Sequence, residues 1–134
     1  MKKLLFIVVL AALAGTTYAQ QAPAKQAFAA FTWDSPSHDF GKIKQGTPVT
    51  HEFKFTNSGK SPLVITNVQA SCGCTTPDWS KEPVMPGGQG FIKATYNAAS
   101  PGAFSKTVTV TANIETGFVQ LTIKGEVQAA QTGK

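Results

Sequence analysis

The chain has 134 residues, of which 42% are hydrophobic and 14% are charged, and this length suits one folded domain. The charge is too sparse and the hydrophobic fraction too high for an intrinsically disordered chain. All twelve basic residues are lysine; because arginine makes the preferred bidentate contacts to phosphate and guanine, we expect no nucleic-acid partner despite the net charge of +5.

The first residues have the order of features that marks an export signal. Lys2 and Lys3 precede an apolar run at residues 4–14, and small residues lead up to Ala19. The sequence therefore predicts a signal peptide at residues 1–19 and an exported protein, either periplasmic or secreted. The apolar run is too short for a stable membrane anchor, and no later run is longer, so we expect no membrane span in the mature chain.

Beyond the signal, the apolar residues alternate with a period of two, which is typical of β-strands with one buried face. We predict a flexible spacer at residues 20–30, a folded domain at 31–127 and a C-terminal tail at 128–134. The predicted strands of the domain cover residues 31–34, 38–43, 49–56, 62–70, 90–97, 104–112 and 119–127.

Glycine, proline and asparagine cluster between these strands, and the cluster at residues 113–117 separates the last two at hairpin distance. About seven short strands over roughly 100 residues, with no helical apolar stripe, are typical of a sandwich. The sequence therefore predicts an all-β fold, an immunoglobulin-like antiparallel β-sandwich of about seven strands.

Two cysteines, Cys72 and Cys74, flank a single glycine just after a predicted strand. In an exported protein two cysteines suggest a disulfide. Closing so small a ring removes unfolded-state entropy worth only about 1.6 kcal/mol. We therefore expect that a bond between them would add little to fold stability and would be easily reduced.

Three interpretations of the cysteine pair remain open at this level. The cysteines are reduced packing or turn residues; or they bind Cu(I) or Zn(II), completed by His38, His51 or Met85; or Cys72 and Cys74 carry out thiol–disulfide chemistry. No cofactor is predicted.

The remaining candidate side chains favour structural roles. His51 lies in the apolar row of its strand, where we expect a packed or edge histidine. His38 and Asp39 are adjacent on a strand and face opposite sides, so they form no catalytic pair. Trp33 and Trp79 are expected to pack at the core or edge rather than bind a ligand.

The chain also lacks the arrangement expected of an enzyme. Its carboxylates are scattered rather than paired within one motif, and no catalytic residue is predicted. These carboxylates are Asp34, Asp39, Glu52, Asp78, Glu82, Glu115 and Glu126.

Several motifs occur in a characteristic order: HDFGKI at residues 38–43, FKFTNSG at 53–59, PLVI at 62–65, SCGCT at 71–75, and IKG at 123–125. In this order they resemble the secreted bacterial family called domain of unknown function 1573, over about residues 32–127. That family is similar to immunoglobulin-like interaction domains of the major sperm protein type. The resemblance implies a β-sandwich and no established activity.

The leading functional hypothesis is an exported, non-enzymatic module that binds a protein or an envelope component through a strand edge or an end loop. The alternative is a periplasmic protein that binds copper or zinc, or exchanges thiols, through Cys72 and Cys74.

Overall fold

The computed structural model describes residues 27–131, and the regular secondary structure in that range consists of β-strands. The predicted signal peptide, most of the predicted spacer and the last three residues lie outside the described residues. The strands are β1 (Phe31–Trp33), β2 (Ser37–Lys44), β3 (Val49–Asn57), β4 (Ile65–Ala70), β5 (Thr75–Trp79), β6 (Gln89–Tyr96), β7 (Gly102–Ala112) and β8 (Phe118–Gln128).

These strands form two packed sheets, which confirms the predicted immunoglobulin-like sandwich. The first sheet has the order β1-β3-β6-β5 and the second has the order β2-β8-β7-β4. One pair departs from the predicted antiparallel arrangement, since β2 runs parallel to β8. The reason is that the chain crosses from the first sheet to the second between β1 and β2, and so enters the second sheet beside the last strand.

The core consists of the apolar residues that alternate along the strands. Phe53 and Phe55 of β3, Ile92 of β6 and Leu121 and Ile123 of β8 are at most 1% exposed. Burial of apolar surface stabilises the fold by roughly 25 cal/mol per Å². The period-two prediction therefore identified the inward faces of the long strands.

The structure interrupts one predicted strand and adds one that was not predicted. The predicted strand at residues 62–70 is interrupted: its ladder with β7 begins at Ile65, while Leu63 forms an isolated bridge with Val84. Strand β5 was not predicted, because proline at position 77 is uncommon within a strand and its sequence TTPDW contains only one large apolar residue.

The folded domain begins earlier than residue 31. Ala29 is 2% exposed and bridges to Ile114, and the Phe28 carbonyl accepts the Lys60 N–H at 3.1 Å. The last residues of the predicted spacer therefore pack against the domain. At the other end, β8 continues one residue past the predicted boundary, to Gln128.

The part of the chain that the structure describes contains no helix with the length and hydropathy that a bilayer crossing requires.

Candidate functional site

A groove lies between two parts of the domain. One is β1 together with the segment that leads into it, and the other is the turn end of the β7–β8 hairpin. We call it the β1–β8 groove, and its volume is about 670 Å³. Its apolar lining includes Phe28, Phe31, Trp33, Ile114 and Val119. Phe28 is 40% exposed, so its ring adds accessible apolar surface to this lining. The groove therefore offers apolar contact to another molecule.

Aromatic rings form a rigid wall of the groove. The rings of Phe31 and Trp33 stack with centroids 4.7 Å apart and an interplanar angle of 19°. Both rest edge-on against the buried ring of Phe55, at 4.8 and 5.2 Å. Because side chains two residues apart on a strand share a face, β1 presents both rings to the same side.

One strand beside the groove has an unpaired edge. On the side of β8 away from β7, pairing with β2 begins only where Ser37 meets Thr122. Within the described range, residues 118–121 therefore have no ladder partner on that side. This edge includes Val119, whose side chain lines the groove.

The register of the β7–β8 hairpin shows which backbone groups point outward. The Ala112 N–H donates to the Gly117 carbonyl at 3.1 Å, so this opposed pair is hydrogen bonded. Bonded and non-bonded pairs alternate along an antiparallel ladder. Val119 therefore bonds to β7, while the N–H groups of Phe118 and Gln120 point away from it.

Strand β1 presents a second outward-facing edge. The Asp34 N–H donates to the Lys54 carbonyl at 3.2 Å, which sets the same alternation between β1 and β3. The backbone groups of Phe31 and Trp33 consequently point away from β3. The β1–β8 groove thus has strand edges on two sides, and both can hydrogen bond to an extended chain.

Asn57 holds the segments around the groove together. Its side chain is fully buried, and Oδ1 accepts the N–H groups of Ala30 at 3.3 Å and Gly59 at 3.0 Å. Its Nδ2 donates to the carbonyls of Ser61 at 2.8 Å and Val84 at 2.9 Å. One side chain therefore fixes the start of β1, the following turn and the β5–β6 connection.

Strand β5, at the far edge of the first sheet, is poorly suited to pairing with another strand. The Ser80 N–H donates to the Phe91 carbonyl at 3.1 Å, so by alternation residues 77 and 79 point outward. Pro77 has no N–H, and the Trp79 N–H donates to the Asp78 carboxylate at 2.9 Å. The outward donors of this edge are thus missing or already used.

Strand β2, at the edge of the second sheet, is protected from strand addition in a different way. Its register with β8 shifts between Asp39 and Lys42, and Gly41 there has a φ of +67°. The Asp39 carboxylate accepts the Gly41 N–H at 2.8 Å, which closes this bulge. Bulges and edge lysines such as Lys42 and Lys44 disfavour strand addition.

The two cysteines lie in the connection from β4 to β5, and the structure joins Cys72 to Cys74 in a disulfide. Their Cα atoms are 5.3 Å apart. The Ser71 N–H donates to the Thr107 carbonyl, and the Asn97 N–H donates to the Cys74 carbonyl, both at 2.9 Å. Both ends of the disulfide loop are therefore anchored to neighbouring strands.

The other proposed ligands of a cysteine metal site lie elsewhere. His38 and His51 stack on each other with centroids 3.7 Å apart, and Met85 follows β5, at the end away from Cys72 and Cys74. In the described part of the chain, no three His, Cys, Asp or Glu side chains come together as metal ligands. The structure thus does not gather the predicted ligand set.

The histidine stack joins the two sheets. His38 belongs to β2 and His51 to β3, and the ring of Phe53 meets His51 edge-on at 4.6 Å. Partial burial lowers the pKa of His51 below its ordinary value, and the neighbouring His38 charge lowers it further, while Glu52 opposes the shift. The stack therefore favours neutral His51.

Of the remaining candidates, Trp33 and Trp79 pack against the core, and Trp33 also lines the β1–β8 groove. Both side chains are partly buried, and the Lys81 Nζ lies 3.0 Å from the centroid of the Trp79 ring. Asp39 is exposed whereas His38 is half-buried, so the two side chains do face opposite sides.

Sequence reasoning missed the residues that build the groove. Phe28 was assigned to the spacer and Ile114 to a turn, and neither has a local signal for a shared surface. Asn57 did carry a signal, because it occupies the apolar row of β3 that includes Phe53 and Phe55. A polar residue in that row indicates a buried, fully hydrogen-bonded side chain.

The sequence and the structure were compared with known proteins. A sequence model of the family described as "Protein of unknown function (DUF1573)" matches residues 31–127. The chain belongs to this family. A search of curated proteins found no match.

Solved structures share the fold at low sequence identity. A protein of unknown function from Porphyromonas gingivalis W83 is 16% identical with a TM-score of 0.64, over 82% of this chain and 51% of that one. The ASH/PapD-like domain 7 of human CEP192 is 9% identical with a TM-score of 0.59, over 87% of this chain and 98% of the domain.

A third match is SSP-19 of Caenorhabditis elegans, an MSP-domain protein like family member. It is 16% identical with a TM-score of 0.52, over 71% of this chain and 98% of that one. The chain spans about half the length of the Porphyromonas protein. At these identities the likeness concerns the fold alone, and it agrees with the predicted resemblance to the major sperm protein type.

Proposed function

We propose that the protein is an exported, non-enzymatic binding module that holds an extended segment of another polypeptide in the β1–β8 groove. The observation that carries the proposal is the unpaired β8 edge at residues 118–121, which borders an apolar groove. An extended segment added there gains main-chain hydrogen bonds from the edge and side-chain contacts from the groove.

The backbone groups and the side chains of the groove have different roles in the proposed binding. The outward N–H groups of Phe118 and Gln120 and the Gln120 carbonyl can bind a strand of any sequence, whereas the Phe118 carbonyl already accepts the Thr116 hydroxyl at 3.0 Å. Phe31, Trp33 and Val119 offer apolar surface, which favours a segment with alternating apolar side chains. The partner class is therefore an extended polypeptide with one apolar face, from a protein or an envelope component.

Export is the second part of the proposal and rests on the sequence pattern of residues 1–19. A mass measurement on the protein from its own cells tests it. We expect a mass that begins at Gln20, and an intact Met1 would contradict export.

A proline substitution tests strand addition. Gln120→Pro removes an outward N–H without removing a bond to β7, and proline is tolerated at such edge positions. The matched control is Gln120→Ala, which shortens the exposed side chain and keeps the N–H. Both variants should melt within a few degrees of the unmodified protein.

The binding assay immobilises each protein and identifies polypeptides retained from an extract of the native cell envelope. We expect Gln120→Pro to weaken retention of a specific partner about tenfold, because a lost backbone hydrogen bond costs about 1 kcal/mol and the ring obstructs approach. Gln120→Ala should retain the partner. Equal retention by all three proteins, or no retained partner, would contradict strand addition.

A further inference from the structure

The Cys72–Cys74 disulfide lies outside the β1–β8 groove, and the loop that carries it is open to approach. Both cysteines are half-buried and Gly73 between them is exposed. A Cβ atom built on Gly73 would meet no atom within 4 Å. The outer side of the loop at Gly73 is therefore open to another molecule.

The loop is held in place by hydrogen bonds that do not involve the sulfur atoms. Beyond its backbone bond, Ser71 accepts the Thr107 N–H with its Oγ at 3.2 Å. The Thr75 N–H donates to the Cys72 carbonyl at 3.4 Å. Because strands of both sheets anchor the loop, opening the disulfide leaves the fold its other restraints.

One buried side chain faces a sulfur atom. Thr75 is 4% exposed, and its Oγ1 lies 4.0 Å from the Sγ of Cys72. A disulfide sulfur has no proton, so the hydroxyl can only donate in this contact. A hydrogen bond to a thiolate is stronger than one to a neutral sulfur, so this contact favours negative charge on Cys72.

We infer that the Cys72–Cys74 disulfide is a thiol–disulfide exchange site that accepts two electrons from a protein dithiol. A thiolate of the dithiol attacks the Cys74 Sγ and forms a mixed disulfide. The Cys72–Cys74 bond breaks, and its electron pair goes to the Cys72 Sγ beside Thr75. The second thiol of the partner then loses its proton and attacks the partner's first sulfur in the mixed disulfide. The bond from that sulfur to Cys74 breaks, and Cys74 leaves as a thiolate.

The exchange is balanced. The partner dithiol is oxidised to a disulfide, and the Cys72–Cys74 disulfide is reduced to two thiols. The two protons of the partner thiols end on Cys72 and Cys74. The role of Thr75 is to position and stabilise the leaving Cys72 thiolate.

Reduction by glutathione tests whether the disulfide is reactive. The full exported chain is equilibrated with a glutathione buffer set to the cytosolic ratio of reduced to oxidised glutathione, a redox poise that structural disulfides resist. The thiols are then alkylated and counted by mass. We expect more than half of the disulfide to open while the circular dichroism spectrum stays unchanged. A disulfide that stays closed, or a domain that unfolds on reduction, would overturn the inference.

A second experiment tests the substrate class and Thr75. The probe is a synthetic peptide with two cysteine thiols separated by two residues, and we expect one peptide disulfide for each protein disulfide lost. Thr75→Val should slow this transfer and raise the pH at which reduced Cys72 is alkylated, while Thr75→Ser should preserve both. No transfer to the peptide would refute the exchange, and equal rates for both variants would refute the role of Thr75.

Discussion

Replacing Asn57 with alanine should destabilise the domain far more than its size suggests. Three partners lose their hydrogen bond: the N–H groups of Ala30 and Gly59 and the carbonyl of Ser61. The carbonyl of Val84 keeps its bond from the Leu63 N–H at 2.8 Å and is not counted. These three groups are partly buried, and leaving each without a partner costs about 1 kcal/mol, so Asn57→Ala should cost about 3 kcal/mol.

Asn113 provides the matched control. Its side chain also bridges two backbone groups, accepting the Val64 N–H at 2.7 Å and donating to the Pro62 carbonyl at 2.8 Å, but it is exposed. Water replaces lost bonds at an exposed position, so Asn113→Ala should cost less than about 1 kcal/mol.

Urea unfolding monitored by tryptophan fluorescence measures both free energies of unfolding. Small domains are stable by about 5 to 15 kcal/mol, so a loss of 3 kcal/mol leaves a measurable transition. Equal costs for Asn57→Ala and Asn113→Ala would refute the reasoning, because they would show that burial of the Asn57 side chain does not raise the cost of losing its hydrogen bonds.

Two further predictions concern the stacked histidines and the packing of the core. Because the pKa of His51 is lowered on folding, by burial first and by His38 second, the unfolded chain binds more protons; the melting temperature should fall as the pH drops below about 6.5, and His51→Gln should flatten that dependence. An unchanged pH dependence of the melting temperature in His51→Gln would contradict this role of His51. A Cβ on Gly90 would lie 2.5 Å from the ring of Phe55, so Gly90→Ala should cost about 1 to 3 kcal/mol in urea unfolding, while Gly73→Ala, with open space around it, should cost much less; similar costs would argue against the packing described.

The long strands could be predicted from sequence because their signal is local. In β3, β7 and β8 the apolar side chains alternate, and this pattern alone separates the buried face from the exposed face. Strand β5 was not predicted because it is short, contains Pro77 and has only one large apolar residue, Trp79. The parallel pairing of β2 with β8 depends on where the chain changes sheets, which no short pattern encodes.

The candidate site was predicted only in part. The sequence identified the cysteine pair as a candidate site. It also predicted binding at a strand edge or an end loop, but it did not indicate which one. The groove joins Phe28 and Trp33, near the start of the domain, to Ile114, which is far later in the chain and meets them only when the domain folds. The unpaired segment of β8 likewise follows from β2 beginning opposite Thr122, a property of the whole fold.

Hydrogen exchange of individual amides, measured by NMR on the free protein, tests the unpaired edge most directly. The amides of Phe118 and Gln120 should exchange on the order of a hundredfold faster than those of Val119 and Leu121, which bond to β7. The alternation should disappear when a strand partner is added. Equal protection of Gln120 and Val119 in the free protein would show that the edge is already paired and would contradict the proposed function.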